Sequence, residues 1–264
     1  MIEIIKTFIR KFLTERQLET FKYYLAKYTP LLEDVPPGDD VMSPRAAALF
    51  SHRKYLEQNL NTPVKYAIQL LHEEICLRST YFGVHAVKSP TDFWVYMEII
   101  HKVKPDVIIE IGNYCGGSTL ALAHILDNIG SGRIIGIDID HSNVPLIVKN
   151  HPRIHLITGD ACKRVSEVKS LIKDGERILV IEDSSHEYQN TLNVLRAFGP
   201  LVTKGSYLIV EDSYFHHGLE IGPNPGPYEA IGSFMKENRD FEIDRSRERF
   251  LITCNPKGYL RRIS

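Results

Sequence analysis

Val107-Ile-Ile-Glu-Ile-Gly-Asn-Tyr-Cys-Gly-Gly-Ser-Thr119 decides how the rest of the chain is read. Val107, Ile108, Ile109 and Ile111 form a short β-branched apolar run, the pattern of a buried strand. From Ser118 onward the pattern becomes helical. Between the two, Gly112, Gly116 and Gly117 make a turn with little side-chain bulk. A strand, a glycine turn and a helix N-terminus, in that order, build a nucleotide-type cofactor site in a doubly wound α/β sheet.

Outward from this stretch, strand and helix patterns alternate. Strands are expected at 106–111, 133–138, 154–158, 177–182 and 205–211, and helices at 117–129, 143–150, 161–173, 189–199 and 227–238. Five strands with intervening helices imply a parallel sheet. Two further strands, at about 241–244 and 248–254, are separated by a few polar residues, so one of them must run antiparallel. The fold class is therefore α/β, with a doubly wound, mostly parallel, seven-stranded Rossmann-like sheet. Upstream, a helix is expected at 91–102 with Pro90 at its start and Phe93, Trp94, Met97 and Ile100 on its apolar face. Residues 78–89 read as a connecting loop, and 63–77 as a helix. Residues 30–44, with four prolines, read as another loop. Residues 1–27 have apolar positions at helical spacing (Ile4, Ile5, Phe8, Ile9, Phe12, Leu13), which suits an amphipathic helix packed on its own protein or a second subunit. Residues 1–82 are thus taken as a helical appendage, useful for covering the cofactor or for oligomerisation, and 83–264 as the catalytic domain.

Composition narrows the function. A net charge of -1 argues against a broad footprint for nucleic acid. No apolar run approaches the roughly 20 residues that span a bilayer, so no membrane role is expected. Cys76, Cys115, Cys162 and Cys254 lie far apart without a CxxC pair, which points to reduced thiols and a cytoplasmic setting.

The glycine turn departs from the dinucleotide fingerprint G-x-G-x-x-G, because Tyr114 stands where the second glycine would let a backbone approach a pyrophosphate. Glu110 would repel phosphates and suits a cationic or amino-bearing ligand. Asp138, ending the next strand, would accept bonds from ribose hydroxyls, in a nicotinamide site as well as in any other nucleoside site. The bland alternative is a tight strand-to-helix turn with solvated carboxylates after the strands. The spacing Glu110-x-Gly112-x-x-x-Gly116-Gly117-Ser118 resembles the first motif of class I S-adenosylmethionine-dependent methyltransferases. In that family the residue ending the third strand, here Asp160, usually contacts adenine.

A second constellation lies further on. The fourth strand ends Glu182-Asp183 and continues Ser-Ser-His186, and the fifth ends Glu211-Asp212. If these strands are neighbours, Asp183, Glu211 and Asp212 converge at the edge where such sheets bind ligands. Three carboxylates repel one another unless a cation sits between them, and oxygen ligation suits Mg²⁺. His186 could reach the same cavity, as a general base rather than a Mg²⁺ ligand. The alternatives are acids that cap helices and a histidine held structurally.

Taken together, Lys88-Ser-Pro90-Thr-Asp92, Glu110-Ile-Gly112 with Gly116-Gly-Ser118, Gly136-Ile-Asp138-Ile-Asp140, Asp183-Ser-Ser-His186, Leu195-Arg-Ala-Phe-Gly-Pro200, Gly205-Ser-Tyr207, Glu211-Asp212 and Asn255-Pro-Lys-Gly258 resemble, in order, the cephalosporin hydroxylase-like family. That family includes rhamnosyl and antibiotic O-methyltransferases. The resemblance covers residues from about 83 to the C-terminus. It implies S-adenosylmethionine and Mg²⁺ as cofactors, with Lys88, Glu110, Gly112, Gly116, Ser118, Asp138, Asp160 and Asp183 on the cofactor side. It implies Asp183, Glu211 and Asp212 as metal ligands and His186 as the base. The expected reaction is methyl transfer to a hydroxyl, with a sugar or glycosylated small molecule favoured as acceptor because neighbouring hydroxyls chelate a cation well. A homo-oligomer is expected. A nicotinamide-dependent oxidoreductase and a non-catalytic binding protein are the competing readings. The histidines His216 and His217 keep a hydroxylase in view.

Overall fold

A computed structural model describes residues 64–264 of the chain. The helix expected at 1–27, with its amphipathic face, and the loop at 30–44 lie outside the described residues. The first described element is helix α1, Val64–Arg78. Residues 78–89, expected as plain loop, contain a small antiparallel hairpin of β1 (Thr80–Tyr81) and β2 (Val84–His85), turned by Phe82 and Gly83 at positive φ. Helix α2, Pro90–Val103, starts where Ser89 accepts the Asp92 backbone N–H and Pro90 needs no amide partner. Its buried face is Asp92, Val95, Tyr96, Ile99 and Ile100, whereas Trp94 is 55% exposed. The expected apolar face was set about one position off, because Asp92 and Tyr96 are polar in composition yet turn inward to bond with the chain's C-terminal segment.

The main sheet follows as β3 (Val107–Ile111), β4 (Arg133–Asp138), β5 (Ile154–Thr158), β6 (Ile178–Glu182), β7 (Tyr207–Val210), β8 (Phe241–Ile243) and β9 (Tyr259–Arg262). Its order is β5-β4-β3-β6-β7-β9-β8, and only the pairings of β9 are antiparallel. Helices α3 (Gly117–Ile129), α4 (Leu146–Lys149), α5 (Ala161–Ser170), α6 (Tyr188–Phe198) and α7 (Pro227–Glu237) make the connections. Every residue of β3 and β6 is buried, which explains why both read as apolar runs rather than alternations. Ile109, Val180, Leu195 and Phe234 belong to the core on one face of the sheet, and Ile99, Ile108, Leu122 and Leu179 to the core on the other.

The last strand corrects the sequence reading. Residues 248–254 are not a strand: Phe250 and Leu251 have φ of 65° and 67° and are 50% and 88% exposed. The strand begins at Tyr259 because the chain must first slip beside β7. A Cβ on Gly258 would lie 2.1 Å from the Val210 carbonyl oxygen, so only glycine enters there, and the Val210 N–H donates to the Gly258 carbonyl at 2.8 Å. Among the described residues no helix is long and apolar enough to cross a membrane, and the four cysteines carry free thiols.

Candidate active site

From β3 the chain winds outward through β4 and β5, then returns to place β6 on the other side of β3. Strand order reverses there, and the crevice beyond the strand ends is where such sheets bind ligands. Gly112 leaves β3 at that crevice with φ of 91°. A Cβ on it would lie 1.9 Å from the Asp183 carbonyl oxygen, while the Asp183 N–H donates to Ile111 at 2.8 Å. The glycine turn and the first acid of the second constellation are therefore packed backbone to backbone.

Glu110 sits beneath the turn with no exposure. Its carboxylate accepts from the Ser118 hydroxyl at 2.6 Å, the Asn113 amide at 2.7 Å and the Thr119 hydroxyl. Burial raises its pKa, opposed by the nearby Lys88 charge and by these donors. Glu110 and Ser118, expected against the cofactor, thus spend their hydrogen bonds on each other and brace the turn from below. Tyr114 adopts φ of 47°, a conformation in which a glycine would be easier. One oxygen of Asp138 accepts the N–H groups of both Asn113 and Tyr114 at 2.8 Å, which holds that conformation, and its other oxygen faces the Asp140 N–H at 3.3 Å. Gly116 lies in the left-handed region at the start of α3 against Val144 and Val148. Asp160 caps α5 through the Cys162 N–H and pairs with Lys163, so its contacts stay within its own helix.

The acids meet as the parallel register requires, with the Glu211 N–H donating to Glu182 at 2.9 Å. His186 Nε2 lies 3.3 Å from an Asp212 oxygen and 3.8 Å from Asp183 Oδ1, and ligand atoms of Asp183, His186 and Asp212 all fall within 4.8 Å of one another. Glu211 is not part of that trio. It is 5% exposed and contacts the ammonium of Lys88, which also lies 3.0 Å from Asp183 Oδ2. Burial and the Asp183 charge push Glu211 well above the ordinary carboxylate range, against the pull of Lys88. Burial alone would lower the Lys88 amine, but Asp183, Glu211 and Glu110 outweigh it and hold the amine above its usual value.

His186 and Asp212 both have positive φ, 59° and 54°. Non-glycine residues held in this region cluster at functional sites, where surrounding structure maintains them. Asn255 provides that support for Asp212: its side-chain oxygen accepts the Asp212 N–H at 3.1 Å and its amide donates to the Tyr96 hydroxyl at 2.9 Å. Asp92 in turn accepts from the Cys254 N–H and the Tyr259 hydroxyl, both at 2.8 Å, and from Thr253. Asp92 and Asn255 were visible in the sequence only as parts of segments resembling the family; no spacing rule marks an asparagine that steadies an acid 43 residues away. Phe215 stands edge-on to His186 with ring centroids 5.5 Å apart. A cavity lined by His72, Cys76, Glu211, Asp212, Tyr214 and Cys254 lies between α1 and the acids.

Among the described residues one other trio converges, His124, Asp127 and His151, but Arg153 already pairs with Asp127 there. His216 and His217 do not join the acid trio; His216 meets the Gly222 carbonyl and His217 pairs with Glu229.

The arrangement can seat a nucleoside beside the glycine turn and a hard cation against the acids. Two carboxylates and an imidazole whose ligand atoms converge, with a third carboxylate and the Lys88 ammonium beside them, fit a divalent cation by their donor set. Comparison with known proteins adds the family. The family model described as Rhamnosyl O-methyltransferase/CmcI matches residues 73–263. A rhamnosyl O-methyltransferase of Mycobacterium tuberculosis is 32% identical over 190 residues, covering 69% of this chain and 78% of that protein. Its Mycobacterium leprae counterpart is 31% identical over 189 residues, covering 69% and 82%. Among solved structures, CmcI with Mg and SAM has a TM-score of 0.56 at 24% identity, covering 70% of this chain and 77% of that one. An apo-structure of CmcI has 0.55 at 22%, covering 86% and 90%. At these identities the two structures speak to the fold.

Proposed function

The chain belongs to the Rhamnosyl O-methyltransferase/CmcI family, and on that premise we propose that it is a Mg²⁺-dependent O-methyltransferase that moves the methyl group of S-adenosylmethionine to a hydroxyl of a sugar or a glycosylated, antibiotic-like small molecule. The observation that carries this reading is the convergence of Asp183, His186 and Asp212 in the crevice bordered by the glycine turn.

Asp183 and Asp212 would hold the cation, with Glu211 adjoining them, and His186 Nε2 lies 3.8 Å from Asp183 and 3.3 Å from Asp212. The chemistry a cation supplies here is to acidify a hydroxyl that is a poor nucleophile at neutral pH. His186 Nε2 accepts the hydroxyl proton, and the neighbouring Asp212 carboxylate stabilises the resulting imidazolium. The turn from Gly112 to Gly116, with Asp138 behind it and Lys88 nearby, forms the cofactor side. Packing of Gly112 on Asp183 fixes the distance between the two halves, so that orientation contributes much of the acceleration. Division into a helical appendage of residues 1–82 and a methyltransferase domain of residues 83–264, assembly as a homo-oligomer and a cytoplasmic location belong to the same proposal.

The test is calorimetric titration with S-adenosylhomocysteine, NAD and MgCl₂, followed by a screen of hydroxylated acceptors with methyl-labelled cofactor. S-adenosylhomocysteine should bind and label should pass to a sugar hydroxyl only with Mg²⁺ present. Tighter binding of NAD, or full transfer in excess chelator, would overturn the reading.

A further inference from the structure

His141 lies just past β4, outside the acid trio. A short turn fixes its backbone: Asp140 accepts the Ser142 N–H at 2.8 Å and the Ser142 hydroxyl at 2.7 Å, and the His141 carbonyl accepts the Val144 N–H at 3.2 Å. The residue is 7% exposed, and its ring joins two strand ends. Nδ1 lies 2.9 Å from the hydroxyl of Thr158, the last residue of β5. Nε2 lies 3.3 Å from Oδ1 of Asn113, in the turn that follows β3.

The surrounding bonds assign the hydrogens. Asn113 Nδ2 donates to Glu110 at 2.7 Å and to Thr119 at 3.1 Å, so both amide hydrogens are spent and Oδ1 faces the ring as an acceptor. His141 Nε2 therefore carries the hydrogen, and Nδ1 accepts from the Thr158 hydroxyl. Burial lowers the His141 pKa, against the pull of Asp138 and Asp140 and with Lys149 adding to the fall, which keeps the ring neutral at pH 7.

Strand β4 makes room for this network. A Cβ on Gly136 would lie 2.8 Å from Asn113 Oδ1 and 2.9 Å from Nδ2, so the amide occupies space that a side chain would fill. Asn113 is 2% exposed, and among the described residues the His141 ring is the donor to its Oδ1. Without that donor a buried carbonyl oxygen stands unpaired, and the amide gains by turning away from Glu110 to find a partner. The turn would move with it, because the N–H groups of Asn113 and Tyr114 are the ones that bind Asp138.

We propose that His141 is a positioning residue for the cofactor, a neutral strut from β5 that fixes Asn113 and, through Asn113, the glycine turn and Asp138. The proposal rests on the cofactor side assigned above to that turn. His141 acts through Asn113 and makes no contact with the cofactor itself.

Calorimetric titration with S-adenosylhomocysteine, and thermal unfolding without ligand, test this on the wild type, His141→Leu, His141→Gln, Asn113→Ala and the double variant His141→Leu/Asn113→Ala. His141→Leu should bind S-adenosylhomocysteine at least tenfold more weakly than the wild type. His141→Gln keeps an N–H donor for Asn113 Oδ1 and should stay within about threefold. Asn113→Ala should also bind weakly, and adding His141→Leu to it should cost less than about twofold more.

Unchanged affinity in His141→Leu with a lowered Tm would make the histidine merely structural and overturn the proposal. So would His141→Gln binding as weakly as His141→Leu, since the donor would then not be what matters. A full tenfold further loss on the Asn113→Ala background would mean that His141 touches the cofactor directly, and would overturn it too. If His141→Leu or Asn113→Ala does not fold, Thr158→Val decides: it removes the hydroxyl that orients the ring, and an affinity equal to the wild type's overturns the proposal. Absence of S-adenosylhomocysteine binding by the wild type would overturn this inference and the cofactor reading together, whereas the other failures leave the cofactor reading standing.

Discussion

A carboxylate at position 110 with no exposure and three side-chain donors is a hub, and the glycine turn depends on it. Glu110→Gln puts an amide against hydroxyl donors and leaves at least one buried group without its partner. The expected cost is about 1–3 kcal/mol in denaturant unfolding, together with weaker S-adenosylhomocysteine binding, because the turn loses its brace. Gly112 is less tolerant still. In Gly112→Ala the new methyl would collide with the Asp183 carbonyl, and φ of 91° is strained for any side chain. S-adenosylhomocysteine and Mg²⁺ binding should therefore fall together, and calorimetry finding only one of them affected would show that the two halves are not coupled through this contact. Asp183→Asn separates them differently: methyl transfer should vanish while S-adenosylhomocysteine affinity stays within a few-fold of the wild type. Glu110 was legible as a carboxylate at the turn, but its direction was not. Sequence spacing places a residue near a ligand and cannot say whether its oxygens turn toward the ligand or back into the fold.

At the scale of elements, the N-terminus of α2 and the chain's last segment form one unit. Asp92 bonds Thr253, Cys254 and Tyr259, and Asn255 links Tyr96 on α2 to the Asp212 backbone. Residues 253–259 therefore serve both the antiparallel strand β9 and the strained acid. Asn255→Ala should weaken Mg²⁺ binding roughly tenfold by calorimetry, through the loss of the bond that steadies Asp212, with little effect on S-adenosylhomocysteine. An unchanged Mg²⁺ affinity would assign Asn255 to stability alone. The expected strand at 248–254 failed for a related reason. Phe250-Leu-Ile has the apolar run of a strand, but the slot between β7 and β8 is reached only after Gly258 passes against Val210.

Across the whole molecule, α1 is tied to the loop after β7. His72 is 7% exposed, hydrogen-bonded to the Tyr214 hydroxyl, and packed edge-on to Phe215, which itself faces His186. Burial lowers the His72 pKa from 6.5 to about 4. The folded protein therefore holds fewer protons on this group than the unfolded chain between those values. Its contribution to stability is complete above pH 6.5 and is lost as pH falls toward 4, amounting to about 3 kcal/mol at about 1.4 kcal/mol per unit. Chemical denaturation of His72→Gln, which keeps an acceptor for Tyr214 but does not titrate, should show a shallower decline between pH 6.5 and 4 than the wild type. An identical slope would mean that His72 is not the group responsible.

The sequence by itself determined the five parallel strands of the sheet and the helices between them. Apolar runs, a glycine turn and the alternation of strand and helix specify the mostly parallel order, because buried strands and crossover helices leave a periodic trace. It also placed Gly112, Asp183, His186, Glu211 and Asp212 at strand ends, where parallel pairing brings them to one edge. Only the tertiary structure decided how those acids are shared. Lys88 contacts Glu211 and Asp183, and Asp183 also converges with His186 and Asp212. It also turned Glu110 inward and moved the last strand to Tyr259–Arg262. These outcomes depend on contacts between residues far apart in the chain and on the direction of single side chains, and neither leaves a periodic trace in the sequence.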